Sequence, residues 1–183
     1  NNTVSVSFML LGILFCVCLV AANLLETKVV QIWKITATAG LNEGIVTGNS
    51  TYYCGHKMQF YDVEYGCTGW HNDIAVAEAL KVSCNIYFYE LSRRLGIDKI
   101  SEYASMYGFG QHTGLETGDY AGAIGNPERF NELGLDWTVG QVIQAGIGQS
   151  ETAATPLQMA VQASTIANRG VRYEPHLVDS IYD

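Results

Sequence analysis

Two groups of side chains in this sequence have the types and spacing to do chemistry. Ser83-Cys84-Asn85 sets a hydroxyl and a carboxamide two residues apart, between two stretches of helical periodicity, where both can point into a cleft. Ser-x-Asn is short enough to recur by chance, so its context must carry the reading. The second group is Cys54, Cys67 and Cys84, which fall within thirty-one residues and lie near His56 and His71. Five cysteines, an odd count with histidines close by, favour a metal over a disulfide framework. Cys54, Cys67, His71 and Cys84 would make a closed tetrahedral structural site, with His56 in reserve. Their spacings of 13, 4 and 13 are not those of a tight zinc-finger knuckle. A ten-residue helix between His71 and Cys84 would be about 15 Å long, so the chain must curl back for both to reach one ion. The alternatives are a Cys54–Cys67 disulfide and plain buried thiols.

The elements around these groups are mainly helical. Ile32, Ile35 and Ala39 keep helical spacing, and Gly40 and Gly44 are expected to end that helix. From Asn42 to Gly69 the frequent glycines and the aromatic set Tyr52, Tyr53, Phe60, Tyr61 and Tyr65 read as irregular or short-stranded. A helix from about Asp73 to Val82 capped by Asn72 is expected, then one from Ile86 to Leu95 closed by Gly96, then a third capped by Asp98. Gly108 to Ser150 is glycine-rich and reads as loops of the kind that shape a groove. Thr155-Pro156-Leu157-Gln158 carries a capping box with proline at the first helical position, and Arg169-Gly170 ends the helix it opens. Leu177 to Tyr182 reads as a strand. Trp70 and Trp137 belong either to the core or to a stacking surface for glycan or peptide, and His112 to a loop.

The net charge of −8 argues against nucleic acid, whose phosphates require a basic surface. The apolar content of 48% with 15% charged residues is too high for a disordered chain, and much of it is concentrated at the start. Phe8 to Ala22 is an unbroken apolar run and Glu26 is the first charged side chain. With its flanks, residues 4–25, the run is long enough to cross a bilayer core, so a membrane-spanning or signal-anchor helix is expected there. A buried helix is the alternative. Cys16 and Cys18 lie inside the run and read as small hydrophobes.

The segment Ala79-Leu80-Lys81-Val82-Ser83-Cys84-Asn85-Ile86-Tyr87-Phe88-Tyr89, followed by Gly108-Phe109-Gly110 and Thr113-Gly114, resembles the transpeptidase domain of penicillin-binding proteins, the class B enzymes especially. Ile147-Gly148-Gln149, Thr155-Pro156-Leu157-Gln158-Met159-Ala160 and Thr165-Ile166-Ala167-Asn168-Arg169-Gly170 extend the resemblance in the same order. It implies an α+β fold like that of the serine β-lactamases, here mostly its helical part. It also implies acyl transfer through a serine ester using three motifs, Ser-x-x-Lys, Ser-x-Asn and Lys-Thr-Gly.

Carried over residue by residue, the resemblance makes Lys34 the lysine of the first motif and Ser83 and Asn85 the second. The position of the attacking serine is occupied by Gln31, whose carboxamide cannot form an ester, and no Lys-Thr-Gly occurs in the sequence. In the family the third motif would be expected past Asp183. Some class B enzymes hold zinc beside Ser-x-Asn, which adds weight to the Cys54, Cys67, His71 and Cys84 set. No other cofactor is implied. The implied partners are peptidoglycan stem peptides, β-lactams and cell-wall synthesis proteins, and the implied location is a single-pass bacterial membrane protein with an extracytoplasmic catalytic domain.

Class B enzymes place a pedestal domain between anchor and catalytic serine, whereas here the apolar run leads almost directly into Lys34. Gly12 to Leu25 faintly resembles the first helix of bacterial vitamin-precursor transporters. The expected organisation is therefore an anchor-like helix and junction over 1–31, joined near Val30 to Ile32 to a partial transpeptidase domain over 32–183. The leading function is a portion of a peptidoglycan D,D-transpeptidase. The rival is a catalytically inactive module that binds cell-wall or division partners.

Overall fold

The computed structural model describes residues 28–177. The apolar run and nearly all of the expected Leu177–Tyr182 strand lie outside that range. Among the described residues no helix is long and apolar enough to cross a membrane.

Helix α1, residues 28–42, is surrounded by the rest of the fold. Ile32, Trp33, Ile35, Thr36, Ala37 and Ala39 are all buried, so most of its circumference is covered rather than a single stripe. The sequence expectation that Gly40 ends this helix is not met, because Gly40 lies inside it. Its lack of a side chain serves packing instead: a Cβ there would come within 2.7 Å of Leu91 Cδ1. Residues 31 and 32, on either side of the expected junction, are consecutive residues of α1.

Four short strands follow: β1 (Thr51–Cys54), β2 (Lys57–Phe60), β3 (Val63–Gly66) and β4 (Asn72–Ala75). They form two antiparallel pairs, β1 with β4 and β2 with β3. Thr51 faces Ala75 and Cys54 faces Asn72 in the first, and Lys57 faces Gly66 in the second. The helix expected from Asp73 is therefore shorter, since its first three residues belong to β4 and only Val76–Lys81 forms α2. Pairing with β1 overrides the weak helical periodicity of so short a segment.

Helix α3 (Asn85–Leu95) ends at Gly96, as expected, with Gly96 at φ 78°. Helix α4 (Ile97–Met106) starts directly from that glycine, which displaces Asp98 from the expected cap into the first turn. Within the glycine-rich stretch, α5 (Pro127–Glu132) and α6 (Gly140–Ala145) add two short helices to the expected loops. Helix α7 (Pro156–Ala167) begins with the capping box read from the sequence, Thr155 and Gln158 each bonding the other's backbone N–H.

Packing joins these elements around α1 and α3. Trp33 stacks on Phe88 with ring centroids 5.3 Å apart and planes 5° from parallel. Thr36 Oγ1 donates to the Gly146 carbonyl at 2.8 Å, and Gln162 Nε2 donates to the Gln31 carbonyl at 2.9 Å, tying α1 to the end of α6 and to α7. Gln158 is fully buried, and its Nε2 donates to the carbonyls of Gly108, Gln111 and Ala121 at 3.1, 2.8 and 2.6 Å.

Tyr87 is completely buried on α3 against Tyr52 and Phe88, and its hydroxyl has no hydrogen-bond partner among the described residues. Burial pushes this phenol up to about 12. An unpartnered buried hydroxyl costs about 1–3 kcal/mol of desolvation. Tyr87→Phe removes that group and keeps the ring, so thermal or urea unfolding is expected to find the variant as stable as the parent or about 1 kcal/mol more stable. A loss above that amount would mean the hydroxyl is satisfied.

Candidate functional site

Lys34 is half-buried on α1, one turn after the buried Gln31. Its Nζ donates to Gln31 Oε1 at 3.4 Å. Residues three apart on a helix share a face, so a group at position 31 is presented to the lysine amine. Gln31 is held at both levels, its side chain by Lys34 and its carbonyl by Gln162.

Ser83 lies in the turn between α2 and α3. Its φ of 56° is in the left-handed region, which a non-glycine residue rarely occupies, and the Cys84 N–H donates back to the Ala79 carbonyl at 2.9 Å. This turn replaces the long straight helix that would have kept Cys84 away from His71. Asn85 opens α3 and its Nδ2 donates to the Gly66 carbonyl at 3.3 Å, joining the helix to the end of β3. Ser83 makes no hydrogen bond among the described residues. The Trp33–Phe88 stack sets α1, which carries Lys34, against α3, which Asn85 opens. No hydrogen bond links Lys34 with Ser83 or Asn85 among the described residues.

The four metal candidates are brought together fully. The ligand atoms of Cys54, Cys67, His71 and Cys84 all lie within 4.8 Å of one another. His71 Nδ1 is 3.5 Å from Cys54 Sγ and 3.6 Å from Cys67 Sγ, and the Cys67 and Cys84 sulfurs are 3.8 Å apart. The three cysteines are buried and form no disulfide among the described residues, so this group could hold a metal ion. Cys54 ends β1, Cys67 follows β3, His71 precedes β4 and Cys84 precedes α3, so the centre ties both strand pairs to the helical body.

The backbone bends sharply beside these residues, with left-handed φ at His56, Asn72 and Ser83 of 72°, 54° and 56°. Burial opposes ionisation of Cys67. Hydrogen bonds from the Ile86 and Gly69 backbone, and from the Cys54 and Cys84 thiols, outweigh it and bring the Cys67 thiol down to about 6. Burial pushes the Cys84 thiol up. The backbone groups of Gly66, Gly69 and Ile86 that serve Asn85 and Cys67 leave no mark in a sequence, since any residue type supplies them.

His56 takes no place among the four ligands. Its ring stacks on Trp70 at 4.4 Å between centroids, and Trp70 is otherwise exposed. Trp137 packs edge-on against Phe130 at 5.1 Å, and the exposed His112 pairs with Asp119 at 3.0 Å in the loop region.

Comparison with known proteins places this geometry among relatives. Residues 34–183 match the family described as penicillin binding protein transpeptidase domain. The peptidoglycan D,D-transpeptidase MrdA of Acinetobacter baumannii is 34% identical over 151 residues, covering 78% of this chain and 22% of that protein. The chain thus spans about a quarter or less of the length of the curated relatives it matches. Among solved structures, PBP2 of Pseudomonas aeruginosa in complex with WCK 5153 is similar with a TM-score of 0.77 at 31% identity, covering 82% of this chain and 36% of the other. The complex of PBP2 with MreC from Helicobacter pylori gives 0.72 at 25% identity, with coverages of 80% and 28%.

Proposed function

Since the chain belongs to the penicillin-binding-protein transpeptidase domain family, we propose that it is a portion of a peptidoglycan D,D-transpeptidase that retains the lysine, the second serine and the asparagine of the site and lacks the attacking hydroxyl. The observation that carries this reading is the Gln31–Lys34 pair on α1, held by packing against the helix that begins at Asn85. In an intact relative a serine at the position of Gln31 would attack the penultimate D-Ala carbonyl and Lys34 would take its proton. Ser83 would pass that proton to the leaving D-Ala, and Asn85 would hold the stem peptide. With Gln31 in that place the ester cannot form, which favours the second reading of a non-acylating module that still binds wall peptides or cell-wall synthesis partners. The MreC complex of the Helicobacter pylori relative supports partners of this kind. The working location is the outer face of a bacterial membrane.

We further assign a structural zinc ion to Cys54, Cys67, His71 and Cys84. Bonds of about 2.3 Å to sulfur and about 2.0–2.1 Å to nitrogen, at tetrahedral angles, separate two sulfurs by about 3.8 Å and a sulfur from a nitrogen by about 3.5 Å. The observed separations of 3.8, 3.5 and 3.6 Å support that fit. The ion would fold the strand pairs against α3 and takes no part in acyl transfer.

Incubation with labelled penicillin is expected to leave no covalent adduct on the chain. A stem-peptide analogue ending in D-Ala-D-Ala is expected to bind reversibly. Asn85→Ala, by removing one hydrogen-bonding group, should weaken that binding about fivefold. Stoichiometric labelling that requires Lys34, or peptide binding indifferent to Asn85, would overturn the proposal.

A further inference from the structure

The four-residue centre is also a pair of thiols set to react with each other. We propose that Cys67 and Cys84 form an oxidative modification site: a peroxide converts them to a disulfide, which removes two of the four metal ligands and releases the ion. The disulfide rests on the geometry of the thiols, and the release of metal rests on the zinc reading above.

The two sulfurs are 3.8 Å apart, and the Cys67 and Cys84 thiols are already in hydrogen-bond contact. An S–S bond of about 2.0 Å is reached by a short closing movement of the two side chains. Little backbone rearrangement is needed, because Asn85 Nδ2 already bonds the Gly66 carbonyl and the Ile86 N–H already reaches the Cys67 sulfur. The segments a disulfide would join are held side by side before it forms.

Access orders the reaction. Cys54 and Cys84 are 0% exposed, whereas Cys67 retains 7%, so a small oxidant meets Cys67 first. Both Cys54 and Cys84 neighbour Cys67, but the Cys54 sulfur is also engaged by the Gly69 carbonyl and by His71 Nδ1, each at 3.5 Å, so Cys84, at 3.8 Å, is the partner we assign to Cys67. The Cys67 thiolate attacks one oxygen of hydrogen peroxide. The O–O bond breaks, a sulfenic acid forms, and the second oxygen leaves as hydroxide to be protonated to water. The Cys84 sulfur then attacks the sulfenic sulfur, the S–S bond forms, and the sulfenic oxygen leaves with the Cys84 thiol proton as a second water. Two sulfurs lose two electrons in total and the peroxide gains them. Cys54 and His71 remain as a two-donor remnant, too few for a closed site.

The test uses the full chain, purified reduced, with its zinc content measured first. Hydrogen peroxide is then added, free thiols and released zinc are followed together, and the cross-linked peptides are mapped without reduction. The expected result is a loss of two free thiols per chain, a Cys67–Cys84 cross-link as the main product, release of about one zinc per chain, and reversal of both by a thiol reductant. Cross-links that mainly involve Cys54, or oxidation of Cys67 to sulfinic acid with no cross-link, would overturn the proposal. A chain that contains no zinc yet forms the Cys67–Cys84 bond would uphold the disulfide and overturn the metal reading alone. A chain that holds zinc and resists cross-linking would do the reverse. Because the mapping is done on the parent chain, no variant has to fold for the result to be read.

Discussion

Stripping the metal from Cys54, Cys67, His71 and Cys84 with a chelator is expected to lower the midpoint of thermal unfolding by about 8–16 °C. The figure follows from linkage. A ligand that binds only the folded state, at a free concentration a thousand times its dissociation constant, contributes about 4 kcal/mol. In a chain of this size each kcal/mol moves the midpoint by about 2–4 °C. The direction follows from topology. The four ligands come from the end of β1, the segment after β3, the residue before β4 and the residue before α3, so an unfolded chain offers no preformed site. Without the ion, the structure retains three buried thiols and three left-handed non-glycine residues at His56, Asn72 and Ser83, and only weak sulfur hydrogen bonds join the ligand side chains to one another. Calorimetry of the zinc-loaded and chelator-treated chain makes the measurement. Cys84→Ser should reproduce the loss and abolish further sensitivity to chelator. A midpoint that moves by less than about 1 °C would remove the case for a structural ion.

Gly146→Ala should cost about 3 kcal/mol, close to the upper end for overpacking a core. Nothing in the backbone demands glycine there, since its φ of −67° suits any residue. The demand is spatial. An added Cβ would fall on the Ser92 hydroxyl, 2.6 Å from the Ser92 Cβ and 3.4 Å from Ile100. Ser92 cannot turn aside easily, because it is completely buried and its hydroxyl donates to the Phe88 carbonyl at 2.5 Å. Separating α6 from α3 would also strain the bond from Thr36 to the Gly146 carbonyl and so pull on α1. A double-mutant cycle with Ser92→Gly isolates the clash. Ser92→Gly alone loses about 0.5 kcal/mol through helix propensity, and the double variant should lose clearly less than the sum of the two. Strict additivity would show that Ser92 is not the obstacle.

The legibility of this fold in its sequence varied with how local the determining interactions are. The Thr155–Gln158 capping box and the Gly96 stop depend on neighbouring residues, and both were met. The first residues of the helix expected from Asp73 were drawn instead into β4, because their partner strand begins more than twenty residues earlier at Thr51. Gly40 carries a helix-stopping residue type inside a helix because Leu91, fifty-one residues on, needs the space. The candidate metal residues were readable by type. Their convergence was not, since it depends on the left-handed turn at Ser83, a conformation that serine does not advertise. Of the residues proposed for acyl transfer, Lys34, Ser83 and Asn85 were reached through the family resemblance, while the Gly66 carbonyl that receives Asn85 belongs to the backbone and is silent in any sequence.

The Gln158 side chain has a consequence in time. Its amide nitrogen serves carbonyls at Gly108, Gln111 and Ala121, three points in the glycine-rich stretch. Those carbonyls have no such partner until residue 158 has been synthesised and has left the ribosome, so that stretch must wait, hydrated, while the next several dozen residues are added. Its loops are therefore completed by α7, in an order opposite to that of the chain.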